Sequence, residues 1–230
     1  YDTGFGLVRA LEPLGVKPLR IGTSANLAER DRVLVVGSGG AEKVLGAIVV
    51  ERRVFTGFWE YMVDEAIFTS PPHDDWGGAA LINSSGELVG VGSLFVRDAR
   101  SGNRNLPGNM FVPVDLLKPV LAEMLTEGRG AGNDRPWLGV FSQELRNVVV
   151  ITSMWANGPA AKAGLKPGDM IIGIGDRRVK SQEEFYRTMW GLGGAGADVP
   201  VKVLRDGQAM DFIVKSGSRY DFLKVDGNTL

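Results

Sequence analysis

Up to about residue 112 the chain is a succession of short apolar runs cut by glycine and proline. Runs at 2–9, 31–37, 43–55, 61–68, 78–83, 87–97 and 109–112 have the length and punctuation of strands. Pro13 and Pro18 make 11–29 an irregular connection with a brief strand near 19–22, and Pro71-Pro72 follows the end of the 61–68 run. Between the runs at 78–83 and 87–97 lies Asn83-Ser84-Ser85-Gly86, whose residues supply tight-turn geometry, so the two runs read as a hairpin. Strands at this spacing predict an all-β barrel or sandwich. The period then changes. Leu117, Val120, Leu121 and Met124 follow helical spacing, with Asp115 as the expected N-cap, Pro119 in the first turn and Gly128 as the stop.

Residues 128–133, Gly-Arg-Gly-Ala-Gly-Asn, are flexible by composition and separate a second unit from the first. Runs at 137–140, 148–153 and 170–174 read as strands, and 166–169 as a turn. Gly158-Pro159-Ala160-Ala161-Lys162-Ala163-Gly164-Leu165 reads as a short helix opened by proline and closed by glycine. Ser181-Gln182-Glu183-Glu184 is a capping box and predicts a helix over about 182–192. Phe185, Met189 and Leu192 share one stripe of that helix, with Tyr186 and Trp190 alongside. One stripe must face a core and the other is free to line a groove; periodicity does not choose between them. Runs at 199–205 and 208–214 flank Asp206-Gly207 as a hairpin, and a weakly ordered tail follows. The expected organisation is a β unit over 1–128, a linker over 129–134, a second domain over 135–216 and a tail over 217–230.

Composition acts mainly by exclusion. A chain of 230 residues with 44% hydrophobic and 23% charged residues fits one or two globular domains. A net charge of −1 gives no electrostatic case for nucleic acid. The absence of cysteine excludes disulfides and thiolate metal sites. The single histidine, His73, excludes a multi-histidine metal site and reads as a surface loop residue. No metal and no cofactor are expected. No apolar run approaches the roughly 18 residues of a membrane-spanning helix. Tyr1 to Val8 lacks the basic head and apolar core of a signal peptide and reads as the middle of a strand, so a longer parent protein is expected.

The remaining feature is Asp75-Trp76-Gly77-Gly78, which leads into the hairpin ending in Gly86-Glu87-Leu88-Val89-Gly90. This segment resembles the nucleophile loop of trypsin-like serine proteases of the HtrA/Deg family. There a Gly-Asn-Ser-Gly-Gly-Ala run precedes a turn and a Gly-Glu-Leu-Val-Gly strand. Aligned on 86–90, the family's serine falls on Gly77. The second unit resembles a PDZ domain of the HtrA type, carried by the Gly-Pro-Ala-Ala-Lys-Ala-Gly-Leu-Lys-Pro-Gly-Asp run at 158–169, with the capping box, helix and hairpin in matching order. The resemblance implies a mainly β protein. The second barrel of a trypsin-like fold would span about 19–112, with the first barrel largely missing, and an α+β PDZ domain would follow.

The trypsin mechanism needs a nucleophile, a base and a group that orients the base. By resemblance Asp2, ahead of 3–8, is similar to the orienting aspartate, and the family's histidine lies upstream of it, outside this chain. Glycine at 77 has no hydroxyl, and nothing restores a nucleophile to it. The backbone of Asp75, Trp76 and Gly77 is left as an oxyanion-type donor loop. In the PDZ unit, Trp137-Leu138-Gly139-Val140 corresponds to the loop and strand that hold a peptide's terminal carboxylate by β-augmentation, and Phe185 and Met189 are candidate groove residues. The resemblance therefore implies a catalytically inactive HtrA-like homologue that binds peptides or unfolded proteins with free C-termini. It also implies a homo-oligomer, trimeric as in relatives, and a location in the periplasm or cell envelope. The alternative is an active HtrA-type serine endopeptidase of protein quality control, represented here by a truncated or engineered fragment.

Overall fold

A computed structural model of the protein describes residues 3–128 and 134–222. It divides into two compact units, one made of 3–55 with 63–128 and the other of 56–62 with 134–222. Strands β1 (Arg32–Val36), β2 (Val44–Gly57), β3 (Tyr61–Ser70), β4 (Ala80–Ile82), β5 (Leu88–Val96) and β6 (Gly108–Pro113) form a closed barrel in the order β1-β2-β3-β6-β5-β4, which belongs to the first unit except for residues 56–57 of β2 and 61–62 of β3. Closure removes the free edges that an open sheet would expose. Alternate residues point inward, as the period of two requires: Val33 and Val35 from β1, Ala47 and Val49 from β2, and Phe111 from β6 share one core with Leu81 and Val89. The β4–β5 turn is held by Asn83, whose Oδ1 accepts from the N–H groups of Ser85 and Glu87 at 3.0 Å each, while Gly86 takes a φ of 73°.

Four expectations for this unit are corrected. Residues 3–10 contain no strand and Val8 is fully exposed; an apolar run becomes a strand only where a neighbour satisfies its N–H and C=O groups. The brief strand near 19–22 shrinks to a single bridge from Ile21 to Leu88. The helix also starts later than its capping signal suggested. Val114–Leu116 is a 3-10 turn, and α1 (Leu121–Glu127) begins beyond Pro119 and ends at Gly128, whose φ is 70°. Asp115 caps nothing in α1. Its carboxylate instead accepts from Ser24 O–H and Ala25 N–H, both at 2.8 Å, and pairs with Lys118. Burial pushes its pKa up, but these partners outweigh that and leave it at about 2.

The second unit has β7 (Val140–Leu145), β8 (Val148–Met154), α2 (Pro159–Lys162), β9 (Met170–Ile174), β10 (Arg177–Arg178), α3 (Gln182–Trp190), β11 (Asp198–Arg205) and β12 (Gln208–Lys215). Its sheet runs β12-β11-β9-β8-β7, with β10 on β9. Val149, Ile151, Ile171, Val199 and Val203 are fully buried. The capping box at the start of α3 is real but displaced by one residue. Ser181 Oγ accepts from Glu184 N–H at 3.1 Å, while the Glu184 carboxylate reaches back to Lys180 N–H at 2.8 Å. The expected strand over 137–140 begins only at Val140, because Gly139 takes a φ of 76° and breaks the extended run. Asp169, in the turn after α2, is buried. It receives Arg205 Nε at 2.6 Å, Arg205 Nη2 at 2.7 Å and Lys166 N–H at 2.8 Å.

The residues expected as a tail are structured as far as 222. Gly217 exchanges backbone hydrogen bonds with Trp137 at 3.1 and 2.9 Å, and Arg219–Asp221 is a 3-10 turn. Residues 129–133 of the expected linker and the end of the tail, 223–230, lie outside the described residues, as does Asp2.

Candidate functional site

Two places hold the residues singled out in the sequence. The first is the Asp75–Gly78 loop of the barrel unit. Gly92 on β5 positions it, because a Cβ there would stand 2.0 Å from the Trp76 carbonyl oxygen, so only glycine admits so close an approach. Gly78 N–H donates to the Gly92 carbonyl at 2.9 Å, and Gly92 N–H to the Ala79 carbonyl at 2.8 Å. Gly77 is exposed, and a Cβ built on it would meet nothing within 4 Å. A side chain would therefore fit at residue 77.

His73, four residues earlier, is buried rather than on the surface. Its N–H donates to Asn109 Oδ1 at 2.6 Å. Its Nδ1 accepts from Asp75 N–H at 3.0 Å, so Nε2 carries the proton and donates to the Lys43 carbonyl at 2.6 Å. Both ring nitrogens are committed to holding the loop, which leaves no lone pair for base catalysis. Of the expected donor loop, Asp75 N–H is spent on this histidine. The Asp75 carboxylate pairs with Lys43 at 3.1 Å and accepts from Ser38 O–H at 3.0 Å; these hydrogen bonds, Lys43 first, hold it below the usual carboxylate range.

The second place is the 137–140 segment of the other unit. Trp137, Leu138, Gly139 and Val140 are all buried. The Trp137 ring lies 4.6 Å from Phe222 and 6.1 Å from Trp155, centroid to centroid, and anchors the segment. The N–H groups of Leu138 and Val140 converge on one carboxylate, that of Glu60: Leu138 donates to Oε2 at 3.0 Å and Val140 to Oε1 at 2.8 Å. Glu60 belongs to the same compact unit, in the 56–62 segment. It is 2% exposed and has a φ of 54°, a left-handed conformation uncommon for a residue with a side chain. Burial pushes its pKa up to about 7, against the pull of the Leu138, Val140 and Gly139 N–H groups and the charge of Arg219. Arg219 donates to the carbonyls of Trp59 at 2.8 Å and Glu60 at 2.7 Å.

The rest of 56–60 lies between β7 and α3. Ser142 N–H donates to the Phe58 carbonyl at 2.8 Å. Tyr186 O–H donates to the Gly57 carbonyl at 2.8 Å, and burial raises that phenol to about 12, so it stays a donor at neutral pH. Gln182 Nε2 donates to the Ser142 carbonyl at 2.9 Å. Phe185 and Met189 are fully buried on their own stripe of α3, while Gln182 and Tyr186 make the polar contacts facing β7 and the 56–60 segment. Sequence reasoning missed Glu60, Ser142 and Gln182. Gln182 was accessible as the first helical residue after the cap. Glu60 carried no local signal, since its partners are about 80 residues away along the sequence.

Comparison with known proteins bears on the two units as a whole. Residues 136–215 match the family described as PDZ domain. The chain is 24% identical over 233 residues to the serine protease Do-like HtrA of Bacillus subtilis, covering 93% of this chain and 46% of that protein. It is 32% identical over 141 residues to the serine endoprotease DegS of Haemophilus influenzae, covering 60% of this chain and 40% of that protein. A probable periplasmic serine endoprotease, DegP-like, of Halomonas elongata is 26% identical over 228 residues, covering 92% of this chain and 46% of that protein. The solved HtrA-type protease AlgW with decapeptide has the same fold, with a TM-score of 0.58 at 20% identity over 90% of this chain and 66% of that one. The chain spans about half the length of the curated relatives it matches, 46% and 40% for the first two. With a trypsin-like barrel followed by a PDZ domain, the chain is similar to the HtrA/Deg proteins among these relatives.

Proposed function

We infer that this protein is a non-proteolytic HtrA homologue whose working site is the PDZ groove. There it takes the free C-termini of peptides or unfolded proteins. The observation that carries the reading is the convergence of Leu138 and Val140 N–H groups on a carboxylate, the chemistry that a peptide C-terminus would present. The loss of proteolysis rests on Gly77, which has no reactive atom, and on His73, whose ring nitrogens are both engaged. A periplasmic or envelope location and a trimeric assembly follow the naming and the habits of the family. Both belong to this proposal, as does the role of Asp2 as a remnant of the orienting carboxylate.

Two measurements test it. A random hexapeptide library with free C-termini should be retained by the full chain at least ten-fold better than the same library amidated. Hydrogen bonds to a charged acceptor contribute about 1.5–3 kcal/mol, and amidation removes that charge. Equal retention of both libraries overturns carboxylate capture. The second measurement is cleavage of unfolded casein, expected to be absent both in the full-length parent and in a Gly77→Ser variant of this chain. The added hydroxyl fits sterically, and both ring nitrogens of His73 are engaged elsewhere. Cleavage by the unaltered parent would restore the reading of an active endopeptidase.

A further inference from the structure

The carboxylate that fills the 137–140 cradle is the protein's own. We propose that the turn between β2 and β3 is a built-in competitor of the PDZ groove, with Glu60 standing in for a peptide's C-terminal carboxylate and Phe58 pairing along β7 as a peptide residue would. A free C-terminus then binds only when the turn leaves.

The register carries the argument. Glu60 faces Val140 and Phe58 faces Ser142, so two residues forward along the turn correspond to two residues back along β7. That is the antiparallel pairing of an added strand, whose period is two. Three groups of the segment are engaged in chain order: the Gly57 carbonyl by Tyr186, the Phe58 carbonyl by Ser142, and the Glu60 carboxylate by Leu138 and Val140. A bound peptide would stop at its terminal carboxylate, whereas the turn must continue into Tyr61. Glu60 meets both demands by taking the left-handed conformation, which turns the backbone away while the side chain enters the cradle. Such a conformation in a buried non-glycine residue has a local cost, and it persists where surrounding contacts over-determine it. Arg219 supplies such contacts by clasping the carbonyls of Trp59 and Glu60. Nothing about the barrel's closure requires a carboxylate at this turn, since a two-residue Asn-Gly turn would join the same strands.

The proposal rests on the reading of 137–140 as a carboxylate-binding loop, and its test separates the two. The full chain, a Glu60→Ala variant and a variant with 58–60 replaced by Asn-Gly are each exposed to the free and amidated hexapeptide libraries. A groove competent only a tenth of the time binds about ten-fold more weakly. Both variants should therefore retain at least ~10-fold more free-carboxyl peptide than the unaltered protein, with the amidated library unchanged. If all three proteins prefer free carboxyls to the same degree, the turn is no competitor, while carboxylate capture stands. If none of them distinguishes free from amidated peptides, carboxylate capture fails and the competitor falls with it. Should Glu60→Ala fail to fold, as judged by circular dichroism, the Asn-Gly variant makes the same comparison without leaving the cradle faced by a truncated side chain.

Discussion

Replacing Arg205 with leucine lowers the stability of the PDZ domain at neutral pH, because it leaves the buried Asp169 carboxylate with the Lys166 N–H in place of a paired guanidinium. Asp169 is 1% exposed, and the guanidinium reaches it with two bonds of 2.6 and 2.7 Å. Such fork-to-fork pairing satisfies both carboxylate oxygens at once, and no other residue replaces it. The effect spreads because the Asp169 backbone carbonyl accepts from Ile151 N–H at 2.9 Å, tying the turn after α2 to β8. Hydrogen exchange at Ile151 and Ile171 amides reads the loss, and a change under about 1 kcal/mol means Asp169 is solvated.

The pH dependence of this loss has a definite sign. Burial raises the Asp169 pKa, but Arg205 and the Lys166 N–H outweigh it and hold the folded-state value below the ordinary aspartate value. The pair therefore stabilises fully above the unfolded-state value, and its contribution disappears as pH falls through the folded-state one. The difference between the unaltered protein and Arg205→Leu stays constant between about pH 6 and 8 and narrows in acid.

Phe111→Ala lowers the stability of the barrel by about 3–5 kcal/mol through lost burial and the cavity left behind. Phe111 is fully buried on β6 opposite Ile67 of β3 and Gly92 of β5. A Cβ on Gly90 would stand 3.2 Å from its Cβ, so the neighbouring strand is already in close contact and has little room to collapse into the space. Since β5 carries the backbone partner of Gly78, exchange at the Gly78 amide should quicken along with that of the barrel core. Read by residue-resolved exchange, this variant acts on the barrel amides and Arg205→Leu on those of the PDZ sheet. A cost below about 1.5 kcal/mol for Phe111→Ala means the barrel repacks around the gap.

Much of this fold was legible from periodicity and punctuation. Six of the expected runs became the six barrel strands, since alternation over a run bounded by turn residues leaves few other ways to bury one face. Ser181 and Glu184 placed α3, and Asp206-Gly207 placed the last hairpin, because caps and tight turns depend on a few neighbouring residues. Misreadings arose where a local signal had a distant partner. Asp115 has the form of a helix cap, yet its carboxylate serves Ser24 and Ala25, some 90 residues earlier. His73 has the form of a surface loop residue, yet Asn109, Lys43 and Asp75 hold it inside. The apolar run after Tyr1 has no place in the barrel, and a strand without a neighbour is not a strand.

The candidate sites divide in the same way. The sequence alone determined the absence of a hydroxyl at Gly77 and the presence of a glycine-bearing Trp137–Val140 loop, because residue identity and local backbone freedom need no tertiary contact. Tertiary structure decided what faces those groups. It spent the Asp75 N–H on His73 and filled the cradle of Leu138 and Val140 with Glu60. It also turned Gln182 and Tyr186 toward β7, with Phe185 and Met189 buried on the adjoining stripe. The physical reason is that a hydrogen bond is decided by which donor and acceptor folding brings within about 3 Å of each other. For partners about 80 residues apart no pattern along the sequence records that distance.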